Sequence, residues 1–384
     1  MTEIKNKSEY AKAGVDYQKI EPFKQAMIEV GKRTLAFPNP RGVFIDEEIL
    51  HAHGAVYWYE GNLPHIWGKT TEGLGNKNWI AEWMYQFAGT GRTYYEGIGI
   101  DSGLMAVNDL IAQGILPVIY TDEVAAGDSE WFADEKRSKD LAESFFKVCE
   151  MVGMALPAGE SPALRYLIKA EPPVKSAPSL SGCVTGIAAP SSRIITGREL
   201  QSGDHIVAVK SSGFHANGAS LIIKKAMALP EKFLTKISNG NTLGEEALIP
   251  TRSYVALVKA WLENEVNIHA LLPGTGGGLA KIAFDSRQYS YHIHDWWAED
   301  EIHPLFQFME ELGVSLRDRL TTFNMNGGYY AYAPASEVSR AIDIGEEQGY
   351  ELIDVGLVEK GPRKVVIDPG IFNKEGIILP PPGE

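Results

Sequence analysis

Residues 99–114, with the sequence GIDSGLMAVNDLIAQG, combine a helix pattern with polar residues suited to a binding site. Leu104, Val107 and Leu110 recur at steps of three, which indicates one face of an amphipathic helix. We expect this helix to cover about residues 102–113, with Gly114 as its C-terminal stop.

The same stretch carries polar side chains at Asp101, Asn108 and Asp109. One interpretation makes Asp101 the N-cap of the helix and the other two solvated surface positions. The alternative interpretation is a set of oxygen ligands for Mg²⁺, which prefers carboxylates together with phosphate oxygens. The helix pattern alone leaves both interpretations open.

Helical and strand patterns alternate on both sides of this stretch. An amphipathic helix ends near Arg33, and residues 34–71 are expected to be irregular. Strands are expected at 116–120 and 183–188, and a helix between them is closed by Gly153. Pro250 is expected to open a helix in the second half. Because the turn-rich residues 189–192 interrupt the pattern, we expect two α+β domains, at 1–190 and 191–384.

Composition limits the possible partners. The 384 residues are 44% hydrophobic and 22% charged, with a net charge of −14, so nucleic acid and anionic membranes are disfavoured as partners. Cys149 and Cys183 provide no disulfide framework and are expected to be small buried residues. Neither a signal peptide nor a membrane-spanning segment is evident, so we expect a cytoplasmic protein.

Residues 71–77, TEGLGNK, form the first segment able to bind phosphate. Gly73 and Gly75 let a backbone approach an anion closely, Glu72 is able to hold a hard cation, and Lys77 neutralises oxygen charge. An ordinary glycine turn before a helix explains the same pattern. The carboxylates at 122 and 123, at the expected end of a strand, are either site residues or solvated loop residues.

Two further segments follow in the second half. Residues 211–218, SSGFHANG, lead from a strand into a helix, where His215 is able to exchange a proton, although a lone loop histidine is more often structural. Residues 274–278, GTGGG, lack the third glycine of a dinucleotide fingerprint because Leu279 takes its place, which disfavours a Rossmann dehydrogenase.

Taken together, these blocks resemble the phosphoribosylformylglycinamidine cyclo-ligase (aminoimidazole ribonucleotide synthetase) family, of the PurM-like superfamily. Residues 71–77 look like T-D-G-V-G-T-K, and residues 99–114 match G-I-D-x-x-x-M-x-V-N-D-L-x-x-Q-G almost letter for letter. The other similar blocks, in order, are residues 10–16, 159–160, 212–218, 250–252, 269–278 and 322–325.

The resemblance implies a two-domain α+β subunit whose N-terminal sheet pairs across a homodimer, followed by a C-terminal α/β sandwich domain. It implies a phosphoribosyl substrate, formylglycinamidine ribonucleotide, whose formamide oxygen is phosphorylated by ATP with Mg²⁺ before the imidazole ring closes. The implied metal ligands are Glu72, Asp101 and Asp109; the implied ATP contacts are Gly73, Gly75, Asn76, Lys77, Asn108, Thr275, Gly276 and Gly277; the implied catalytic residues are His215, Asn217 and Lys77.

This chain departs from the family pattern at several positions. Pro273 stands where the family has a second histidine, Glu72 and Asn76 replace Asp and Thr, and residues 37–43 and 51–54 lack the family's Gly-rich loop. The histidines at 292 and 294 are more readily explained by an alternating strand than by a metal site. Two alternatives therefore stay open: an ATP-dependent enzyme of this superfamily acting on another amide or small substrate, and a nucleotide-binding homologue without turnover.

Overall fold

The computed structural model describes residues 8–46 and 54–383. The loop residues 51–53, part of the departure from the family's Gly-rich loop, lie outside this range. The α-helices are α1 (Glu9–Lys12), α2 (Tyr17–Thr34), α3 (Lys77–Phe87), α4 (Ile98–Leu110), α5 (Glu135–Val152), α6 (Ala219–Met227), α7 (Leu243–Ala247), α8 (Val255–Glu263), α9 (Pro304–Glu311), α10 (Leu316–Thr322) and α11 (Ala335–Glu347).

The strands are β1 (Val43–Ile45), β2 (Tyr57–Tyr59), β3 (Ile66–Gly73), β4 (Leu116–Ala125), β5 (Ala155–Glu160), β6 (Ser179–Ala188), β7 (Asp204–Lys210), β8 (Ala270–Pro273), β9 (Tyr289–Ile293), β10 (Gly327–Pro334), β11 (Leu352–Lys360), β12 (Lys364–Ile367) and β13 (Ile377–Leu379). Strands β1 and β2 form an antiparallel pair, with Phe44 opposite Trp58.

The chain divides into two compact units, each made of several segments. The first comprises Met1–Asn62, Lys69–Ala106 and Pro117–Thr185, and the second comprises Leu63–Gly68, Val107–Leu116 and Gly186–Glu384. Helix α4 therefore contributes residues to both units. The sequence-based division at residue 190 stays a prediction.

The first unit is built on a sheet of order β3-β6-β4-β5, with β5 at an edge. Helix α2 packs on α5 and on β5, and Gly31 permits this approach because a Cβ there would lie 2.8 Å from the Leu156 carbonyl oxygen. Along β6 the side chains alternate, as expected for a sheet with one covered face: Leu180 and Val184 are buried, whereas Ser181 and Cys183 are half-buried.

The second unit contains a larger sheet of order β13-β12-β9-β11-β7-β10-β8. Strand β10 is buried along almost its whole length and is antiparallel to both β7 and β8. Helices α8 and α11 pack together beside this sheet, and the Trp261 indole Nε1 donates to the Ala341 carbonyl oxygen at 2.9 Å.

Helices α2 and α5 confirm the two helices predicted from hydrophobic spacing. Gly114 and Gly153 both adopt the left-handed conformation that ends a helix. Three expectations about local structure were wrong. Residues 34–71 are not wholly irregular, since they contain β1, β2 and most of β3. Strand β4 continues to Ala125, so Asp122 lies within the strand rather than at its end.

The third wrong expectation is that Pro250 opens a helix. Helix α8 begins only at Val255. The Asn108 side chain accepts from the Tyr254 amide at 3.3 Å and donates to the Arg252 carbonyl oxygen at 2.9 Å. Since these hydrogen bonds satisfy the backbone of residues 252–254, that segment has no need of a helical turn.

Candidate functional site

The turn between β3 and α3 exposes the predicted phosphate-binding backbone. Gly73, Gly75 and Asn76 are exposed, and Glu72 is half-buried. Gly75 has φ +73°, and a Cβ built there would meet no described atom within 4 Å. The backbone at this turn is therefore open to close approach by an anion.

Lys77 and Asp101 form a buried ion pair in the first unit. Lys77 Nζ lies 2.8 Å from Asp101 Oδ1, and both side chains are 0% exposed. Burial lowers the pKa of Lys77, while the attraction of Asp101 opposes that shift. In this structure the pair ties the first residue of α3 to α4, and the predicted ATP contact of Lys77 and metal role of Asp101 stay predictions.

Asp101 is also not a helix cap, contrary to one of the two interpretations. Helix α4 begins at Ile98, so Asp101 lies within its first turn, and its side chain is buried. A charged side chain is tolerated at this depth because the Lys77 ammonium compensates the lost hydration.

The last turn of α4 belongs to the second unit. Asn108 is 2% exposed, and besides its two side-chain hydrogen bonds its carbonyl oxygen accepts from the Tyr329 hydroxyl at 3.3 Å. Asp109 is half-buried. In this structure Asn108 therefore holds the 252–254 segment by hydrogen bonds. Its contact with a nucleotide stays a prediction.

His215 lies in a buried loop that is held by hydrogen bonds to other segments. The residue is 1% exposed, has φ +60°, and its ring lies 6.2 Å from that of Tyr254. The loop is fixed by Asn324, whose Nδ2 donates to the Gly213 carbonyl oxygen at 2.8 Å, and by Ser212, whose Oγ donates to the Pro250 carbonyl oxygen at 2.7 Å.

A second histidine lies behind the same loop and was missed by sequence reasoning. His303 Nε2 lies 3.1 Å from Glu246 Oε1, and a Cβ on Gly213 would approach that nitrogen to 3.1 Å. Burial lowers the pKa of His303, although Glu246 opposes the shift. No short motif signals this pair, because its members are separated by 57 residues of sequence.

The glycine cluster 274–278 approaches the His215 loop within the second unit. Gly276, Gly277 and Gly278 all have positive φ, and a Cβ on Gly276 would lie 3.7 Å from Asn217 Oδ1. Asn217 Nδ2 is buried and has no hydrogen-bond partner among residues 8–46 and 54–383. Thr275 Oγ1 accepts from Lys281 Nζ at 2.8 Å.

This arrangement suits an anion, because the unsatisfied amide nitrogen of Asn217 lies beside the exposed backbone of Gly276, while Pro382 packs against the neighbouring Gly277. Of the predicted residues, the structure thus brings together Asn217 and Gly276 in one unit, and Lys77 and Asp101 in the other.

A preassembled metal site is not part of the described structure. The resolved ranges contain no cluster of three or more histidine, cysteine, aspartate or glutamate side chains placed to hold a metal ion. His292 lies in strand β9, as the alternation predicted, with its Nε2 3.1 Å from Glu359 Oε2. Any Mg²⁺ at these loops would take phosphate oxygens among its ligands.

Within the described part of the chain, no helix has the length and apolar character needed to cross a bilayer.

Comparison with known proteins identifies both halves of the chain. Residues 70–188 match the family model described as AIR synthase related protein, N-terminal domain, and residues 201–369 match that of the C-terminal domain. The chain is similar to two proteins named phosphoribosylformylglycinamidine cyclo-ligase. One, from Pyrococcus horikoshii, is 30% identical over 93% of this chain and 97% of that protein; the other, from Rippkaea orientalis, is 29% identical over 94% and 99%.

Solved structures show the same fold at low sequence identity. The thiamine-monophosphate kinase from Stenotrophomonas maltophilia K279a has a TM-score of 0.59 at 17% identity, covering 92% of this chain and 97% of that one. The hydrogenase maturation protein HypE from E. coli has a TM-score of 0.56 at 14% identity, covering 94% and 96%. With both domain models matched in order and a 30% identical relative aligned over nearly its full length, the chain belongs to the AIR synthase related family, in which it is grouped with the phosphoribosylformylglycinamidine cyclo-ligases.

Proposed function

We propose that this protein is an ATP-dependent cyclo-ligase that converts formylglycinamidine ribonucleotide to aminoimidazole ribonucleotide, a step of purine synthesis. The observation that carries this proposal is the 30% identity, over 97% of its length, to a relative bearing the cyclo-ligase name. The motif blocks that resemble the family run from residue 10 to residue 325, so both halves support the same reaction.

The reaction requires activation of a poor leaving group. An amide oxygen leaves readily only after phosphorylation, and a nitrogen of the same substrate then displaces phosphate and closes the ring. A protein assists such a transfer mainly by positioning and by stabilising charge on phosphoryl oxygens.

The second unit offers donors for that charge. The exposed backbone of Gly276 and the buried amide of Asn217 lie side by side, and His215 belongs to the same hydrogen-bonded loop as Asn217. We assign Thr275, Gly276, Gly277 and Asn108 to ATP, and His215 with Asn217 to the substrate or to proton transfer.

The first unit offers the turn at 72–77. Gly73, Gly75 and Asn76 would contact phosphate through their exposed backbone, and Lys77 would neutralise charge once released from Asp101. We propose Glu72, Asp101 and Asp109 as Mg²⁺ ligands. The carboxylate donor set fits a hard cation that keeps phosphate oxygens as further ligands.

A homodimer is part of the proposal. The face of the first unit's sheet that helices leave uncovered carries the half-buried side chains of Thr121, Ser181, Cys183 and Thr185. Small, weakly polar side chains of this kind suit packing of one sheet on another. Sedimentation velocity should give a dimer, and Cys183→Arg should shift it to monomer.

The decisive experiment supplies the purified protein with ATP, Mg²⁺ and formylglycinamidine ribonucleotide. We expect ADP and aminoimidazole ribonucleotide in equal amounts. His215→Ala should lower kcat by about a hundredfold or more, whereas the control His294→Ala, at an exposed position, should leave kcat unchanged. Equal activity of the two variants would remove His215 from the mechanism.

Pro273 makes a different substrate the second candidate. It lies at the end of β8, paired with Tyr329, and offers no proton donor where the family has histidine. ATP hydrolysis that depends on another amide, without formation of aminoimidazole ribonucleotide, would support that alternative. ATP binding without turnover on any amide would indicate a nucleotide-binding homologue.

A further inference from the structure

A cavity of about 400 Å³ lies between helix α2 and the edge strand β5, within the first unit. One face of α2, including Lys24, Met27, Lys32 and Leu35, forms one wall, and residues 156–161 form the other. None of the residues assigned to the cyclo-ligase reaction lines it. The cavity is large enough for a small metabolite.

Asp122 lies at the inner wall of this cavity. Its side chain is 7% exposed, and no lysine, arginine or histidine of the ranges 8–46 and 54–383 forms an ion pair with its carboxyl group, which accepts a hydrogen bond from its own backbone amide. Gly159 makes room for this carboxyl group, since a Cβ there would lie 2.1 Å from Asp122 Oδ1. A buried carboxyl group without a cationic partner is a strong acceptor for any cationic donor that enters the cavity.

The electrostatics agree with this geometry. Burial raises the pKa of Asp122 to about 7; a hydrogen bond from its own backbone amide opposes this shift, and the neighbouring carboxylates of Glu160 and Glu123 add to it. A cationic group placed against Asp122 would reverse both effects, because it compensates the lost hydration and favours the ionised form.

The wall of the cavity formed by α2 carries the opposite charge. Lys24 and Lys32 line the cavity two helical turns apart, and both are exposed. Neither lysine forms an ion pair with another described residue. The apolar side chains of Met27, Leu35 and Leu156 line the same cavity, and so does the exposed Glu160.

We propose that this cavity binds a small zwitterion, an aliphatic α-amino acid. Its ammonium group would hydrogen-bond to Asp122, its side chain would contact Met27, Leu35 and Leu156, and its carboxylate would face Lys24 and Lys32. Each part of such a ligand has a counterpart among the lining residues: a carboxyl group for the cation, apolar side chains for the body and two lysines for the anion.

Isothermal titration calorimetry with three probes tests each part of the site separately. Norleucine carries both charges, pentylamine lacks the carboxylate, and hexanoate lacks the ammonium group. We expect norleucine to bind at least about fivefold more tightly than pentylamine, and hexanoate to show no binding up to about 10 mM. Absence of norleucine binding up to that concentration would overturn the proposal.

Variants then locate the binding site. Asp122→Asn keeps the shape of the side chain and should weaken norleucine binding by about tenfold or more, and Gly159→Ala should do the same by displacing the carboxyl group. Lys24→Gln with Lys32→Gln should reduce norleucine affinity to that of pentylamine.

The matched control is Glu347→Gln, at an exposed position of α11 in the second unit. It should leave norleucine affinity unchanged. Norleucine binding that is equal in wild type and in Asp122→Asn would place the ligand elsewhere and overturn the assignment. These measurements need no turnover, so their failure is distinct from failure of the proposed cyclo-ligase function.

Discussion

Asp101 and Asp122 are both buried aspartates of the first unit, and the structure treats them in opposite ways. Asp101 has a lysine ammonium 2.8 Å from its carboxylate, inside a region that excludes solvent. Asp122 has no such partner among the described residues, and its pKa rises to about 7. Both carboxyl groups are buried, and only that of Asp101 has a cationic partner among the described residues.

Burial alone therefore does not determine whether a buried carboxyl group is charged. A paired carboxylate stays ionised because the Coulombic attraction offsets the cost of desolvation, whereas an unpaired one takes up a proton instead. The first arrangement ties two helices together, and the second leaves an acceptor available to a ligand.

The largest effect on stability is expected when the lysine that pairs with Asp101 is removed. Lys77→Met leaves an uncompensated carboxylate in the interior, so we expect the free energy of unfolding to fall by about 3–5 kcal/mol in urea denaturation at pH 7. A loss below about 1 kcal/mol would show that the pair is not buried in solution.

The matched control is Lys259→Met, which removes a lysine 3.7 Å from Glu263 where both side chains are about half exposed, at 48% and 49%. Solvent screens that pair, so the expected loss is only about 0.3–0.5 kcal/mol.

The second prediction removes the charge that Asp122 is able to carry. Its folded-state pKa, about 7, exceeds the ordinary value of 3.8, so between these pH values the folded state keeps a proton that the unfolded state releases. The contribution of Asp122 to stability therefore falls as pH rises from 4 to 7, and Asp122→Asn should be more stable than wild type by about 3 kcal/mol at pH 8.

The stability difference between Asp122→Asn and wild type should vanish near pH 4, where both folded and unfolded states hold the proton. Denaturation curves at pH 4, 6 and 8 measure it. A difference that is the same at all three pH values would mean that Asp122 is solvated in the folded protein.

The third prediction extends the comparison to His303, a buried base beside Glu246 in the second unit. Because its pKa is lowered below the ordinary 6.5, the unfolded state binds the proton first, and stability is lost as pH falls below 6.5. His303→Gln should cost about 1 kcal/mol at pH 8 for the lost hydrogen bond and should reduce this acid sensitivity. An unchanged slope of stability against pH would contradict the assignment.

Sequence patterns predicted the regular elements well where hydrophobic spacing or a glycine stop marked them, as at Gly114 and Gly153. They failed at Pro250 and at Asp122. At Pro250 the backbone of the following residues is satisfied by Asn108, which lies more than 140 residues earlier. At Asp122 the sequence shows three consecutive polar residues, 121–123, and does not tell which face of β4 the helices cover.

Only the local parts of the candidate site were predictable from the sequence. The glycine segments at 72–77 and 274–278 are visible as motifs, because backbone freedom is a local property of glycine. The Lys77–Asp101 pair, the brace from Asn324 to Gly213 and the His303–Glu246 pair were not predicted, because each joins residues far apart along the chain.

The sequence by itself determined the family, the order of the motif blocks and most helices and strands, since these depend on residue identity and near-neighbour spacing. Tertiary structure alone decided which acids are paired, which titrate near neutrality and where a cavity remains open. Those properties depend on the dielectric surroundings and on partners that only the packing of distant segments brings within hydrogen-bond distance.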